Sequence, residues 1–176
     1  MLHAHFFKLA SYDVLRVAFA AVLLLLAFNA SLSTPFAANA EEELRVVSKV
    51  ELEAMFSKAR GTPFIVVYWA SWCTPCRHFR TKMEKIRGDY PESALNILAV
   101  SVDDVPERAR EYLAQKRLPY PSVICAESLR KDLLGLPVPT TRLYRRDGGM
   151  EKEFSGDVSL PRLEHYVRRI LELPPS

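Results

Sequence analysis

The chain has 176 residues, 49% hydrophobic and 26% charged, and its 24 basic against 21 acidic residues leave a formal net charge of +3. That length and apolar fraction suffice for one core of ordinary size and exclude a disordered or collagen-like chain; three cysteines are too few for a disulfide-dense miniprotein. So balanced a charge is not a nucleic-acid footprint, and no nucleic-acid partner is expected.

Residues 1–40 carry Lys8 and Arg16, one acid at Asp13, and an unbroken apolar run from Val17 to Phe28, followed by small and polar residues up to Ala38-Asn39-Ala40. This is the order of a secretory signal peptide, with the cut expected after Ala40. As a helix the run would reach only about 18 Å, against a hydrocarbon core of about 30 Å. An uncleaved leader would instead tether the domain to the membrane. Either way residues 41–176 are expected as a single exported, periplasmic domain, where a thiol pair has redox meaning.

Within that domain Ser48-Lys49-Val50-Glu51 forms a capping-box pattern, and Leu52, Met55, Phe56 and Ala59 follow at helical spacing up to Gly61-Thr62-Pro63. Phe64 to Trp69 is a continuous apolar, β-branched and aromatic run, the pattern of a strand buried on both faces. A helix is predicted from Cys73 to Arg87, with Cys76, Phe79, Met83 and Ile86 on one side and Gly88-Asp89 as its stop. Ile97 to Val102 is a second buried strand. Asp104 and Pro106 are expected to open a helix with Ala109, Tyr112 and Leu113 inward, closed before Pro119. A short strand over Ser122 to Cys125 and a short helix over Ser128 to Leu134, ended by Gly135, come next. Thr140 to Arg145 and Met150 to Phe154 flank Asp147-Gly148, a hairpin signal. The last helix starts near Ser159, with Leu160, Leu163, Val167 and Ile170 inward, and the tail Leu173 to Ser176 is expected to fray. Strands alternating with helices and closing on a hairpin predict an α/β fold around a mixed sheet.

The chemistry points to Trp72-Cys73-Thr74-Pro75-Cys76, where a buried strand runs into a helix. At a helix start, free backbone N–H groups and the positive end of the macrodipole face the Cys73 sulfur and favour its thiolate. Cys76 lies one turn on, within reach of a mixed disulfide formed at Cys73. Pro75 removes only an N–H that a first turn leaves unpaired anyway. A zinc site would need about four ligands; Cys125, His78 and His165 are the other candidates and none repeats the spaced pair, so no metal is expected. Covalent haem attachment would need histidine where Arg77 stands. A disulfide across so short a loop would add little as a purely structural bridge. Arg77 and His78 read either as thiolate-tuning groups or as a solvated helix face. Trp69 and Trp72 read either as core or, for Trp72 beside the reactive cysteine, as the flank of a docking surface; Cys125 reads as a buried thiol acting as a small apolar side chain, with intermolecular pairing as the alternative.

The stretch from Tyr68 to Cys76 resembles the active-site segment of thioredoxin-fold proteins, and the match extends to Val138-Pro139-Thr140-Thr141 before the hairpin. The resemblance implies a cis Val138–Pro139 bond packed against the dithiol, with the backbone of Val138 free to pair with an extended substrate; Pro137 is the competing proline. The added strand and helix, about Ser122 to Leu134, are similar to the insertion of exported TlpA-like thiol–disulfide oxidoreductases, several of which serve cytochrome c maturation. The chain departs from the family in having Val67 where thioredoxin has a buried acid, Phe79 where cytochrome-maturation members often carry glutamate, and Thr81 where thioredoxin has a helix-kinking proline. The proton acceptor for Cys76 is therefore unassigned.

The expected function is an exported thiol–disulfide oxidoreductase, a reductase of protein disulfides, that needs no cofactor. Cys73 is the nucleophile and Cys76 the resolving thiol; Trp72, Thr74, Pro75, Val138 and Pro139 are the candidate partner-binding residues. Its partners would be protein disulfides and an upstream membrane electron donor. The alternatives are a disulfide donor or isomerase running the same exchange in another direction, and a non-catalytic module that holds extended peptides.

Overall fold

A computed structural model of the chain describes residues 44–172; the leader 1–40, its cut after Ala40, and the tail 173–176 lie outside the described residues. Among the described residues, no helix is long and apolar enough to cross a membrane.

Local signals account for most of the elements. The Ser48 hydroxyl accepts from the Glu51 N–H at 3.3 Å while the Glu51 carboxylate accepts from the Ser48 N–H at 2.8 Å, so the capping box is formed in full at the start of helix α1, Lys49–Lys58. Strand β1, Val46–Val47, precedes it and is too short to leave a periodic signal in the sequence. Strand β2 is Phe64–Trp69 and helix α2 Thr74–Asp89. Gly88-Asp89 does not end α2 as expected; the helix runs through both residues to Tyr90, whose extended backbone (φ −128°, ψ 114°) is what the following Pro91 demands. Strand β3 is Asn96–Ser101 and helix α3 Pro106–Gln115. Asp104 does not cap α3: Val105 is the N-cap and offers no side-chain bond, while the Asp104 carboxylate takes the Val105 N–H and Arg108. Strand β4, Ser122–Cys125, leads into helix α4, Glu127–Asp132. Strands β5, Thr140–Tyr144, and β6, Met150–Ser155, form the hairpin, and helix α5 is Leu160–Glu172. At the hairpin tip Gly148 has φ +86° and the Asp147 carboxylate accepts the Gly149 N–H at 2.7 Å, the reason this pair of residue types marks the turn.

The six strands make one mixed sheet in the order β1-β4-β3-β2-β5-β6. The β2–β3, β3–β4 and β1–β4 pairs are parallel, whereas β5 runs antiparallel to β2 and β6 antiparallel to β5. The added strand β4 is thus inside the sheet, between β1 and β3, and α4 follows it. Side chains alternate between two cores, as strand geometry requires. Ile65, Val67, Trp69, Ile97 and Ala99 pack with Phe79, Met83 and Ile86 of α2, Leu113 of α3, and Leu163, Val167 and Ile170 of α5. Val66, Tyr68, Leu98, Val100, Val123 and Cys125 face the other way, onto Leu52 of α1 and Leu129 of α4. Both faces of β2 and β3 are covered, which is why those strands read as unbroken apolar runs.

Leu163 is fully buried in the first core, so Leu163→Ala should cost about 2–5 kcal/mol in urea unfolding. Ser48→Ala, which removes only the cap of α1, should cost about 1 kcal/mol.

Candidate active site

Strand β2 ends in the middle of the sheet, so the chain that leaves it at Ala70 emerges between β3 and β5, and the turn from Ala70 to Cys73, closed by a Cys73 N–H to Ala70 carbonyl bond of 3.1 Å, delivers Cys73 to the start of α2. Cys73 is the N-cap residue itself, with extended backbone, and Thr74 and Pro75 form the first helical positions. Because Pro75 has no N–H, the donor that reaches the sulfur is the backbone N–H of Cys76, 3.1 Å from Cys73 Sγ. Cys73 and Cys76 are joined by a disulfide. Both residues are buried, at 3% and 7% exposure, while Trp72 beside them is 59% exposed and Thr74 and Pro75 also face solvent.

From the other side of the sheet's end comes the loop before β5. The Val138–Pro139 peptide is cis, Pro139 is buried and Pro137 exposed. The Val138 carbonyl oxygen lies 3.4 Å from Cys73 Sγ, and Thr140 secures the loop by donating its hydroxyl to the Pro137 carbonyl at 2.6 Å. All seven residues expected at the site therefore gather at one end of β2: Trp72, Cys73, Thr74, Pro75 and Cys76 from the junction, Val138 and Pro139 from the facing loop. Beneath Cys76 a small cavity of about 20 Å³ is lined by Val67, Trp69, Phe79, Tyr120 and Pro139 among others, with Arg77 and Arg80 as its only charged lining residues. Among the described residues no carboxylate borders it; Val67 and Phe79 are part of its apolar wall. Burial pushes the Tyr120 phenol well above its usual range, so it stays protonated there.

The chain matches the Thioredoxin family model over residues 43–127. Its fold is thioredoxin-like. It is similar to the thiol–disulfide oxidoreductase ResA of Oceanobacillus iheyensis, 30% identical over 115 residues that cover 65% of this chain and 60% of that protein. To the ResA of Bacillus thuringiensis subsp. konkukian it is 26% identical over 123 residues, 69% of each chain. Among solved structures, the thiol:disulfide interchange protein DsbE from Chlorobium tepidum superposes with a TM-score of 0.60 at 25% identity, covering 65% of this chain and 84% of that one. The chain thus spans 60% and 69% of the length of these ResA relatives, and by sequence and by fold it is similar to proteins named for thiol–disulfide exchange.

Around this thioredoxin-fold site the remaining candidates sort themselves. The Arg77 guanidinium donates back to the Ser71 carbonyl at 3.2 Å. His78 is exposed, its carbonyl accepting the Thr81 hydroxyl. Cys125 is a free, buried thiol in the core of the opposite sheet face, away from the dithiol. One residue of the junction escaped notice in the sequence: Asp103, wholly buried, whose carboxylate binds Ser71. Its only sequence signal was a polar Ser101-x-Asp103 stretch at the end of an otherwise apolar strand, and the neighbouring Asp104 drew the helix-opening role instead.

Burial raises the Cys125 thiol above the ordinary cysteine value, the negative charge of Asp103 adding to this and the Arg130 guanidinium opposing it. A raised folded-state value means that the thiol's stabilising contribution is whole below the unfolded value of about 8.5 and is lost as pH rises through the folded one. The native protein should therefore leave Cys125 unalkylated until denaturant is added, and part of the decline in its stability above about pH 8.5 should vanish in Cys125→Ala, as followed by mass spectrometry and by urea unfolding against pH.

Proposed function

We propose that this chain is an exported reductase of protein disulfides, with Cys73 as nucleophile and Cys76 as resolving thiol. The observation that carries this reading is the Cys76 N–H aimed at Cys73 Sγ from 3.1 Å at the N-cap of α2. In the reduced protein that bond favours the Cys73 thiolate, because a charged acceptor strengthens an N–H bond roughly twofold over a neutral one and the helix dipole adds to it. The thiolate attacks one sulfur of a partner disulfide; the partner's other sulfur leaves as a thiolate and is protonated. Cys76 then gives up its proton and attacks Cys73 Sγ, which forms the Cys73–Cys76 disulfide and frees the second partner thiol. Two electrons and two protons have passed to the partner, and a membrane dithiol donor returns them by the same exchange.

The partner would lie over exposed Trp72, against Thr74 and Pro75, with its backbone extended along Val138. In that position the Val138 carbonyl, close to the reacting sulfur, accepts a backbone N–H of the partner. Burial of both sulfurs restricts attack to a segment that fits this groove. The direction of electron flow is supported by the pair's intervening residues: Thr74 and Pro75 bring no cation, and Arg77 is turned to Ser71. A dithiol becomes strongly oxidising when its reduced form is specially stabilised, and here the Cys73 thiolate has the Cys76 N–H and the helix start behind it, with no cation from Thr74 or Pro75 added. The leader at residues 1–40 supports export, and the likeness of the β4–α4 insertion to the TlpA-like proteins supports a role in cytochrome c maturation.

Cys73→Ser should abolish reduction of a model protein disulfide, and Cys76→Ser should trap the partner as a mixed disulfide visible on non-reducing gels. Equilibration of the full chain with dithiothreitol buffers should give a potential near that of thioredoxin, about −270 mV; a value near about −120 mV would make it a disulfide donor.

A further inference from the structure

We propose that Asp103 is a positioning residue for Cys73, acting through Ser71 without touching either sulfur; this rests on the reading of Cys73 as the nucleophile. The β2–β3 ladder ends with Trp69 opposite Ser101 and a Val102 N–H to Trp69 carbonyl bond of 2.8 Å. One step further the chain after β2 must leave the sheet to enter α2, and the Ser71 N–H loses any ladder carbonyl. In the same register Asp103 stands opposite Ser71, and its carboxylate takes that N–H at 2.9 Å, the Ser71 hydroxyl at 2.6 Å, and the Ser101 hydroxyl at 2.7 Å. The Asp103 N–H in turn donates to the Ser101 hydroxyl at 3.1 Å. Both oxygens are used and the residue has no exposed surface.

A buried carboxylate is an expensive way to hold two serines, and among the described residues no lysine or arginine forms an ion pair with it. The groups around it are Arg130 of α4, whose guanidinium reaches the main-chain carbonyls of Asp103 at 3.4 Å and Asp104 at 3.1 Å, the buried Cys125 thiol, and exposed Asp104. What the carboxylate secures is the turn that carries the nucleophile. With the Ser71 N–H held by Asp103 and the Ser71 carbonyl held by Arg77 at 3.2 Å, both peptide groups flanking Ser71 are fixed two residues before Cys73. The placement of Cys73 Sγ against the Cys76 N–H depends on that turn, because a hydrogen bond to a thiolate weakens steeply with distance and angle.

Charge and position act in opposite directions, so the test can separate them. Asp103→Asn removes a negative charge, which by itself favours the Cys73 thiolate, but it presents an amide NH2 where Ser71 needs an acceptor. Ser71→Ala keeps the charge and removes one of the bonds. In the reduced full-length chain the pH dependence of iodoacetamide alkylation at Cys73, resolved from Cys76 and Cys125 by peptide mass spectrometry, reports the thiolate. Positioning predicts a higher midpoint in both variants, by about one unit in Asp103→Asn, a roughly tenfold smaller thiolate fraction below the midpoint. An unchanged or lowered midpoint in Asp103→Asn overturns the proposal, as does a loss of urea stability with an unaltered Cys73 titration. Should Asp103→Asn fail to fold, the midpoint of Ser71→Ala decides in the same way. A wild-type Cys73 that titrates at the ordinary thiol value of about 8.5 would remove the nucleophile reading and this proposal together; a low wild-type midpoint with unmoved variants removes this proposal alone.

Discussion

The bond from the Cys76 N–H to Cys73 Sγ depends on a strand ending in the middle of a sheet and a helix beginning directly after it. A strand at an edge would release its chain into solvent; β2, flanked by β3 and β5 and covered on both faces, releases it into a cleft whose walls are other loops. The helix then has to start within four residues, and its first free N–H groups converge on whatever side chain occupies the N-cap. Here that side chain is a cysteine. The redox pair is therefore less an addition to the fold than a choice of residue at the position where the fold concentrates unpaired backbone donors, the same electrostatic logic by which helix starts bind anions.

The two cores divide the labour around that point. The core holding α2, α3 and α5 anchors the helix that carries Cys76, through Phe79, Met83 and Ile86. The core under α1 and α4 contains Cys125, whose thiol is sealed beneath Leu52 and Leu129 and separated by the sheet from the reactive pair. Keeping a third thiol out of reach matters in a protein that carries a disulfide between two others, since exchange needs only access and a thiolate. Burial supplies both protections at once: it blocks approach and holds the proton on the sulfur.

The inserted β4–α4 unit has a structural consequence of its own. By entering the sheet between β1 and β3 it places Arg130 on the carbonyls of Asp103 and Asp104, and so reaches the loop on which Ser71 depends. The cavity under Cys76 is lined by Val67 and Phe79, and among the described residues no carboxylate lines it. The buried carboxylate near this site is Asp103, just after β3, bound to Ser71 of the turn before Cys73.

Much of this was legible in the sequence, because much of it is local. A capping box needs only Ser48 and Glu51; a doubly covered strand declares itself by the unbroken run from Phe64 to Trp69; a CxxC placed where such a run meets a helical pattern specifies both the N-cap sulfur and its partner one turn on. Where local signals competed, the outcome was less certain: α2 ran through the exposed Gly88 and Asp89 despite their poor helix propensity, and the proline at 91 compelled an end. The β1–β4 pairing, the approach of Val138 to Cys73 and the opposition of Asp103 to Ser71 have no local signature at all. They follow from strand register, which sets residues thirty-two positions apart face to face, and register is decided by burying both faces of the sheet at once. The sequence by itself determined which two cysteines meet at the helix start and join in a disulfide; the tertiary structure decided which groups hold those residues in place, since a hydrogen bond between distant segments exists only after the sheet has brought them together.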